Sequence, residues 1–173
     1  LDKGDMSATL RDRLRARFPD AYHNLFAAFL RQSEQWLRPG GELGAIVPQP
    51  FLFLKSYRRL RARLLDGFAI DRLVHLGLSV FPSATVDTAM FVARRRSAAA
   101  DDDGGGEPPT GDYIRLVDVD DKVAALDRAE RALAEGRKEP RAFRVPQPRL
   151  RDIPGAPLVY WMPDELRRLF RDE

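Results

Sequence analysis

The sequence predicts an α/β fold whose sheet ends in an antiparallel hairpin. Three observations point there. Residues 20 to 95 run helix, strand, helix, strand, strand. The breaks between them fall at Gly and Pro, as in Arg38-Pro39-Gly40-Gly41 and at Gly67. Two apolar runs, 70–77 and 86–94, flank one corner that carries Phe81 before Pro82.

Each element has a local reason. In SATLRDRLRARF, residues 7–18, Leu10, Leu14 and Phe18 share a helical face, and Pro19 ends the helix. Asp20 is placed to cap a second helix reaching about Leu37. Its stripe of Leu25, Phe26, Phe29, Leu30, Trp36 and Leu37 predicts a broad buried face, with Trp36 in the core. Glu42–Pro48 is a short apolar run between glycines and a proline, which predicts a buried parallel strand. FLFLKSYRRLRARLLD, residues 51–66, predicts a helix stopped at Gly67. Beyond the hairpin, 113–117 predicts a strand and 120–135 an exposed helix rich in Ala, Arg and Glu. Residues 140–157, broken by prolines, predict extended chain, and a last short helix starts near Pro163.

Composition bounds the function. The 173 residues suit one domain of ordinary size, and 44% hydrophobic content suffices for a core. There is no Cys, so a disulfide framework and thiolate metal sites are excluded. His23 and His75 are too few for a zinc site, and His75 within a strand is expected to be packed. No metal is expected. No apolar run reaches the roughly 20 residues of a membrane span, and no signal peptide is visible, so a cytoplasmic protein is expected. The net charge is +3, carried mostly by Arg because Lys is scarce. Arg suits phosphate, although a GC-rich coding sequence gives the same bias.

Walker, GxGxxG, GxSxG and HExxH motifs are all missing. Asp101, Asp102 and Asp103 read as a solvated linker. Arg58, Arg59, Arg61 and Arg63 crowd one helix, and Arg94, Arg95 and Arg96 end a strand. These form solvated faces or contacts to a nucleic-acid backbone; with Lys55 they give the backbone candidates Lys55, Arg58, Arg59, Arg94 and Arg95.

Several pieces in order carry a resemblance. DAYHNLFAAFLRQSEQWLRPGGELGAIVPQPFLFLKSYRRLRARLL and LVHLGLSVFPSATVDTAMFVARR resemble the C-terminal half of the catalytic domain of adenine-specific DNA methyltransferases. Phe53-Leu54-Lys55-Ser56-Tyr57 and the tail IPGAPLVYW, 153–161, resemble the large methyltransferases of restriction-modification enzymes and of BREX phage defence, the PglX group.

The resemblance implies half of a Rossmann-like S-adenosylmethionine-dependent sheet over residues 1–96. A flexible loop, 97–111, and a small α+β extension toward a target-recognition region, 112–173, would follow. It implies double-stranded DNA as partner, with further defence or restriction subunits in some systems. It assigns Phe81 to stacking a flipped adenine; the bland alternative is a ring packed under the corner. The family's glycine-rich donor loop and its Asn/Asp-Pro-Pro-Tyr/Phe motif are absent, and Pro48-Gln49-Pro50-Phe51 matches the latter only superficially. The donor-binding and catalytic residues are therefore expected before Leu1, and this chain alone is expected to be inactive. A non-catalytic subunit of a split methyltransferase and an inactive remnant are the rival expectations.

Overall fold

The computed structural model describes residues 4–78, 80–81, 86–97 and 107–170. Five strands make one mixed sheet: β1 (Glu42–Pro48), β2 (Phe68–Gly77), β3 (Thr88–Arg95), β4 (Thr110–Arg115) and β5 (Ala142–Pro146). Their spatial order is β1-β3-β2-β4-β5. β3 is antiparallel to both β1 and β2, β4 is parallel to β2, and β5 is antiparallel to β4. So β1, β2 and β4 all point the same way. The segments that follow them, starting at Gln49, Leu78 and Leu116, gather at one end of the sheet, called here the corner end.

The predicted hairpin of β2 and β3 is present. The expectation of a buried parallel β1 is corrected. β1 pairs antiparallel with β3 and is an edge strand among the described residues. Leu43, Ala45 and Val47 face the core, whereas Glu42, Gly44 and Ile46 are exposed. A run of small and apolar residues does not distinguish a two-sided strand from a one-sided one whose outer face carries glycine and isoleucine.

Among the described residues five α-helices accompany the sheet: α1 (Ala8–Arg17), α2 (Leu25–Trp36), α3 (Arg58–Gly67), α4 (Lys122–Ala134) and α5 (Asp164–Arg168). Ser7 caps α1, and Asn24, not Asp20, caps α2 through a bond from the Phe26 N–H. α2 corrects a second expectation. It buries Ala27, Ala28, Leu30 and Ser33, while Trp36 is 63% exposed and leans edge-on against exposed Phe29. α2 thus seats its small side chains and Leu30 in the core, beside α3, and leaves the bulky stripe of Leu25, Phe29 and Trp36 outside.

The helix expected from residue 51 begins only at Arg58. Before it come two 3-10 turns, Gln49–Leu52 and Lys55–Tyr57, joined through extended Leu54. The carbonyls of Phe51 and Leu54 accept bonds from the Arg61 guanidinium. α3 then buries Leu60, Leu64 and Leu65.

The core has two layers. On one face Leu73, Phe91 and Tyr113 meet α2, α3 and the strap containing Leu158 and Tyr160. On the other, Val74, Ile114 and Leu116 lie under Ala125, Ala129 and Leu133 of α4. α4 packs over β4 and β5 and reaches Val74 of β2, while Ile46 and Val92 remain exposed. Residues 112–115 and β5 belong to the same sheet as β2, tied by Gln147. Its buried amide accepts from the Ile70 N–H and donates to the Leu65 and Phe68 carbonyls.

Candidate nucleic-acid interface

The corner end is built by the turns after β1 and β2. β2 ends in a register shift between His75 and Gly77, and Gly77 has φ +75°. A Cβ there would meet the Val117 Cα at 3.4 Å, an ordinary contact, so it is the left-handed turn that calls for glycine. Thr88 donates its hydroxyl to the Gly77 carbonyl at 3.4 Å, and the Gln49 N–H donates to the Asp87 carbonyl at 2.8 Å. These bonds pin both feet of the corner. Phe81 stands on it with its side chain 43% exposed. Pro82 lies outside the described residues.

Beneath sits His75, 2% exposed. Its ring centroid lies 5.8 Å from Phe53 and 6.1 Å from Trp161, and Phe53 meets Trp161 edge-on at 5.6 Å. The Arg115 guanidinium lies 5.1 Å above the Trp161 ring. Burial, and then the positive charge of Arg115, lower the His75 pKa to about 4. The imidazole is neutral at pH 7, neither nitrogen has a hydrogen-bond partner, and its role is packing.

Arg61 was grouped by sequence with the cations of α3, but it is not a surface charge. It is 2% exposed. Nη1 donates to the Phe51 and Leu54 carbonyls at 2.8 Å each, Nη2 to the Gly155 carbonyl at 2.8 Å, and Nε to the Ala156 carbonyl at 2.9 Å. Burial lowers its pKa to about 10, which leaves it charged. One guanidinium thus joins the Phe53–Tyr57 segment to the 153–161 tail, a use of the planar fork that Lys lacks. The sequence held a signal for this: Arg61 precedes Leu64 and Leu65 by three and four positions, on α3's buried face.

The five backbone candidates divide by position. Lys55, Arg58 and Arg59 are exposed at the corner end and make no ion pair among the described residues. Arg94 and Arg95 end β3 at the opposite end of the sheet, seven residues from Thr88 and so roughly 24 Å away by strand rise. Both have partners there. Arg94 binds Asp71 at 2.7 Å, which raises its pKa. Arg95 donates to the Gly67 carbonyl at 2.8 Å and lies over the Phe68 ring at 5.6 Å. Phe81, Lys55, Arg58 and Arg59 thus follow strands that finish at the corner end, whereas Arg94 and Arg95 close β3 at the other. The Asp101–Asp103 run lies outside the described residues.

The residues present do not fit a nucleotide-like methyl donor. The turn after β1 carries Pro48 and Pro50, which lack N–H donors. The unpartnered polar atoms of His75, Tyr113 and Arg115 lie among Phe53, Tyr160 and Trp161 rather than in an open cradle. Among the described residues there is no group of three or more His, Asp or Glu able to hold a metal ion, and no helix long and apolar enough to cross a membrane.

Comparison with known proteins follows the same lines. Residues 2–81 match the Eco57I restriction-modification methylase family. The chain is 26% identical over 167 residues to the adenine-specific methyltransferase PglX of Lacticaseibacillus casei (strain Zhang), covering 93% of this chain and 13% of that protein. It is 28% identical over 160 residues to the adenine-specific methyltransferase BrxX of Escherichia coli O9:H4 (strain HS), covering 90% of this chain and 12% of the relative. Among solved structures, a type I restriction-modification methyltransferase subunit from Streptococcus thermophilus aligns with TM-score 0.59 at 16% identity, over 89% of this chain and 34% of that one. The type IIG restriction endonuclease BpuSI aligns with TM-score 0.58 at 17% identity, over 92% and 19%. The chain is thus similar to the adenine-specific methyltransferases PglX and BrxX over most of its length, matches the Eco57I restriction-modification methylase family over residues 2–81, and shares the α/β fold of the solved methyltransferase subunit.

Proposed function

We propose that this chain is the DNA-facing, C-terminal part of the catalytic domain of an adenine-specific DNA methyltransferase acting in restriction-modification or phage defence. The complete protein would work in the cytoplasm on double-stranded DNA, moving a methyl group from S-adenosylmethionine to the exocyclic amine of adenine. The observation that carries this reading is the corner end itself. A half-exposed Phe81 ring shares that end with three exposed cations, Lys55, Arg58 and Arg59, that have no carboxylate partner among the described residues. An aromatic face for an extruded base and cations for the backbone are what such a reaction asks of this surface. Phe81 takes the flipped adenine, and the paired Arg94 and Arg95 are assigned to holding the fold.

The methyl donor and the acceptors for the adenine amine belong to chain outside these residues. Two features support that division. β1 is an edge strand with exposed Gly44 and Ile46, and Val92 beside it is exposed as well, a sheet left open on one side among the described residues. The curated relatives are also far longer than this chain. In this reading residues 1–96 are the catalytic-domain part and 112–173 lead toward target recognition, with the two joined by one sheet.

The test is to express the native gene in a host lacking N6-methyladenine and sequence the host DNA for that base. Methylation at one short recurrent site is expected, and Phe81→Ala should lower it about tenfold or more, as loss of one stacking contact predicts. Unmethylated DNA, with the intact protein present, would overturn the reading.

A further inference from the structure

The corner end carries another bulky apolar side chain that the fold does not use. Leu54 is 53% exposed. A single exposed leucine is ordinary. This one differs in being held on a fixed backbone. It stands extended (φ −62°, ψ 138°) between the two 3-10 turns. Its N–H donates to the Pro50 carbonyl at 2.9 Å, and its carbonyl accepts from the Tyr57 N–H at 3.1 Å and from buried Arg61 at 2.8 Å. On one side its neighbour Phe53 is locked against His75 and Trp161; on the other stands Lys55, with Arg58 and Arg59 just beyond.

We propose that Leu54 is an apolar wedge that enters the DNA base stack beside the adenine held on Phe81. This rests on the adenine-methyltransferase reading above. Extruding a base breaks its stacking and pairing and leaves a gap in the duplex. An apolar side chain filling that gap replaces lost stacking contact, as wedge residues of kinking proteins do. The wedge must be stiff, because a mobile loop would lose ordering entropy on insertion. The bonds from Pro50, Tyr57 and Arg61 supply that stiffness before DNA arrives. Lys55, Arg58 and Arg59 bring the phosphates to it. Val123 is more exposed, at 73%, but it sits beside Asp118, Asp120 and Asp121, whose charges repel a phosphate backbone.

The experiment uses the native polypeptide and two duplexes carrying the site it methylates: one with the target adenine, which reports the methylation rate, and one with 2-aminopurine in its place, which reports base extrusion by fluorescence. Unsubstituted protein should raise the fluorescence on binding. Leu54→Ala should cut that rise and the methylation rate about tenfold, and Leu54→Met should retain both. An abasic position opposite the target, which removes the pairing cost, should restore Leu54→Ala but not Phe81→Ala. Leu54→Ala with full signal and rate on the paired duplex overturns the wedge and leaves the methyltransferase reading intact. A loss that the abasic duplex does not restore also overturns it, in favour of a plain contact. Failure of the unsubstituted protein to methylate overturns the parent reading, and the wedge with it.

Discussion

The two ends of the sheet carry similar cations in opposite states. At the corner end Lys55, Arg58 and Arg59 stand exposed without an ionic partner among the described residues. At the far end Arg94 binds Asp71, Arg95 binds the Gly67 carbonyl with Glu34 4.0 Å away, and Arg151 binds Asp66 at 2.5 Å. Arg31 bridges Asp20 and Glu34 nearby. Clustered Arg in the sequence therefore means two different things. One set is committed to the fold, and the other is left available for phosphate. What separates them is the supply of carboxylates, not the number of positive charges.

The comparison breaks most severely at Arg61. Arg61→Ala takes a shared donor from four carbonyls, of which that of Leu54 keeps its bond from the Tyr57 N–H, and should lower the unfolding free energy by about 3–5 kcal/mol. Arg61→Lys should recover only part of it. Urea unfolding measures both, and a loss under about 1 kcal/mol would show that the tail and the Phe53–Tyr57 segment are not joined through this group.

Next comes His75. Its pKa in the fold, about 4, lies below the ordinary 6.5, so the unfolded chain binds the extra proton first as pH falls. The stability it contributes is full above pH 6.5 and is lost between 6.5 and 4, by an amount on the order of 3 kcal/mol. Unfolding followed across that window should show the decline, and His75→Leu should flatten it. An unchanged slope in that variant would place the acid sensitivity elsewhere.

The smallest effects sharpen the contrast between the ends. Removing Lys55, Arg58 or Arg59 singly should reduce the salt dependence of DNA binding by a slope of about 1 each and hardly change stability. Arg94→Ala should do the reverse: under about 1 kcal/mol of stability lost, with DNA binding and its salt slope unchanged.

Much of this was legible in the sequence. The hairpin and a helix within 120–135 follow from period, breakers and propensity, although that helix is not the exposed one expected: it buries Ala125, Ala129, Ala132 and Leu133 against the sheet. Trp36 misled because a helix can seat its small face, here Ala27, Ala28 and Ser33, and turn its aromatics outward. β1 misled because a short apolar run does not say which partner strand it meets. The division of the cations was out of reach, since Asp71 lies 23 residues from Arg94 and Arg151 lies 85 from Asp66. Arg61 was readable from its position on the apolar face, yet its acceptors on residues 155 and 156 depend on tertiary folding.

The claim that DNA meets the corner end is tested most directly by amide hydrogen exchange of the native polypeptide with and without a duplex carrying its site. The account predicts new protection over residues 49–59 and at Gly77, Leu78 and Phe81, and none over 66–72 or 93–97. Protection at Arg94 and Arg95 with an unchanged corner would contradict it.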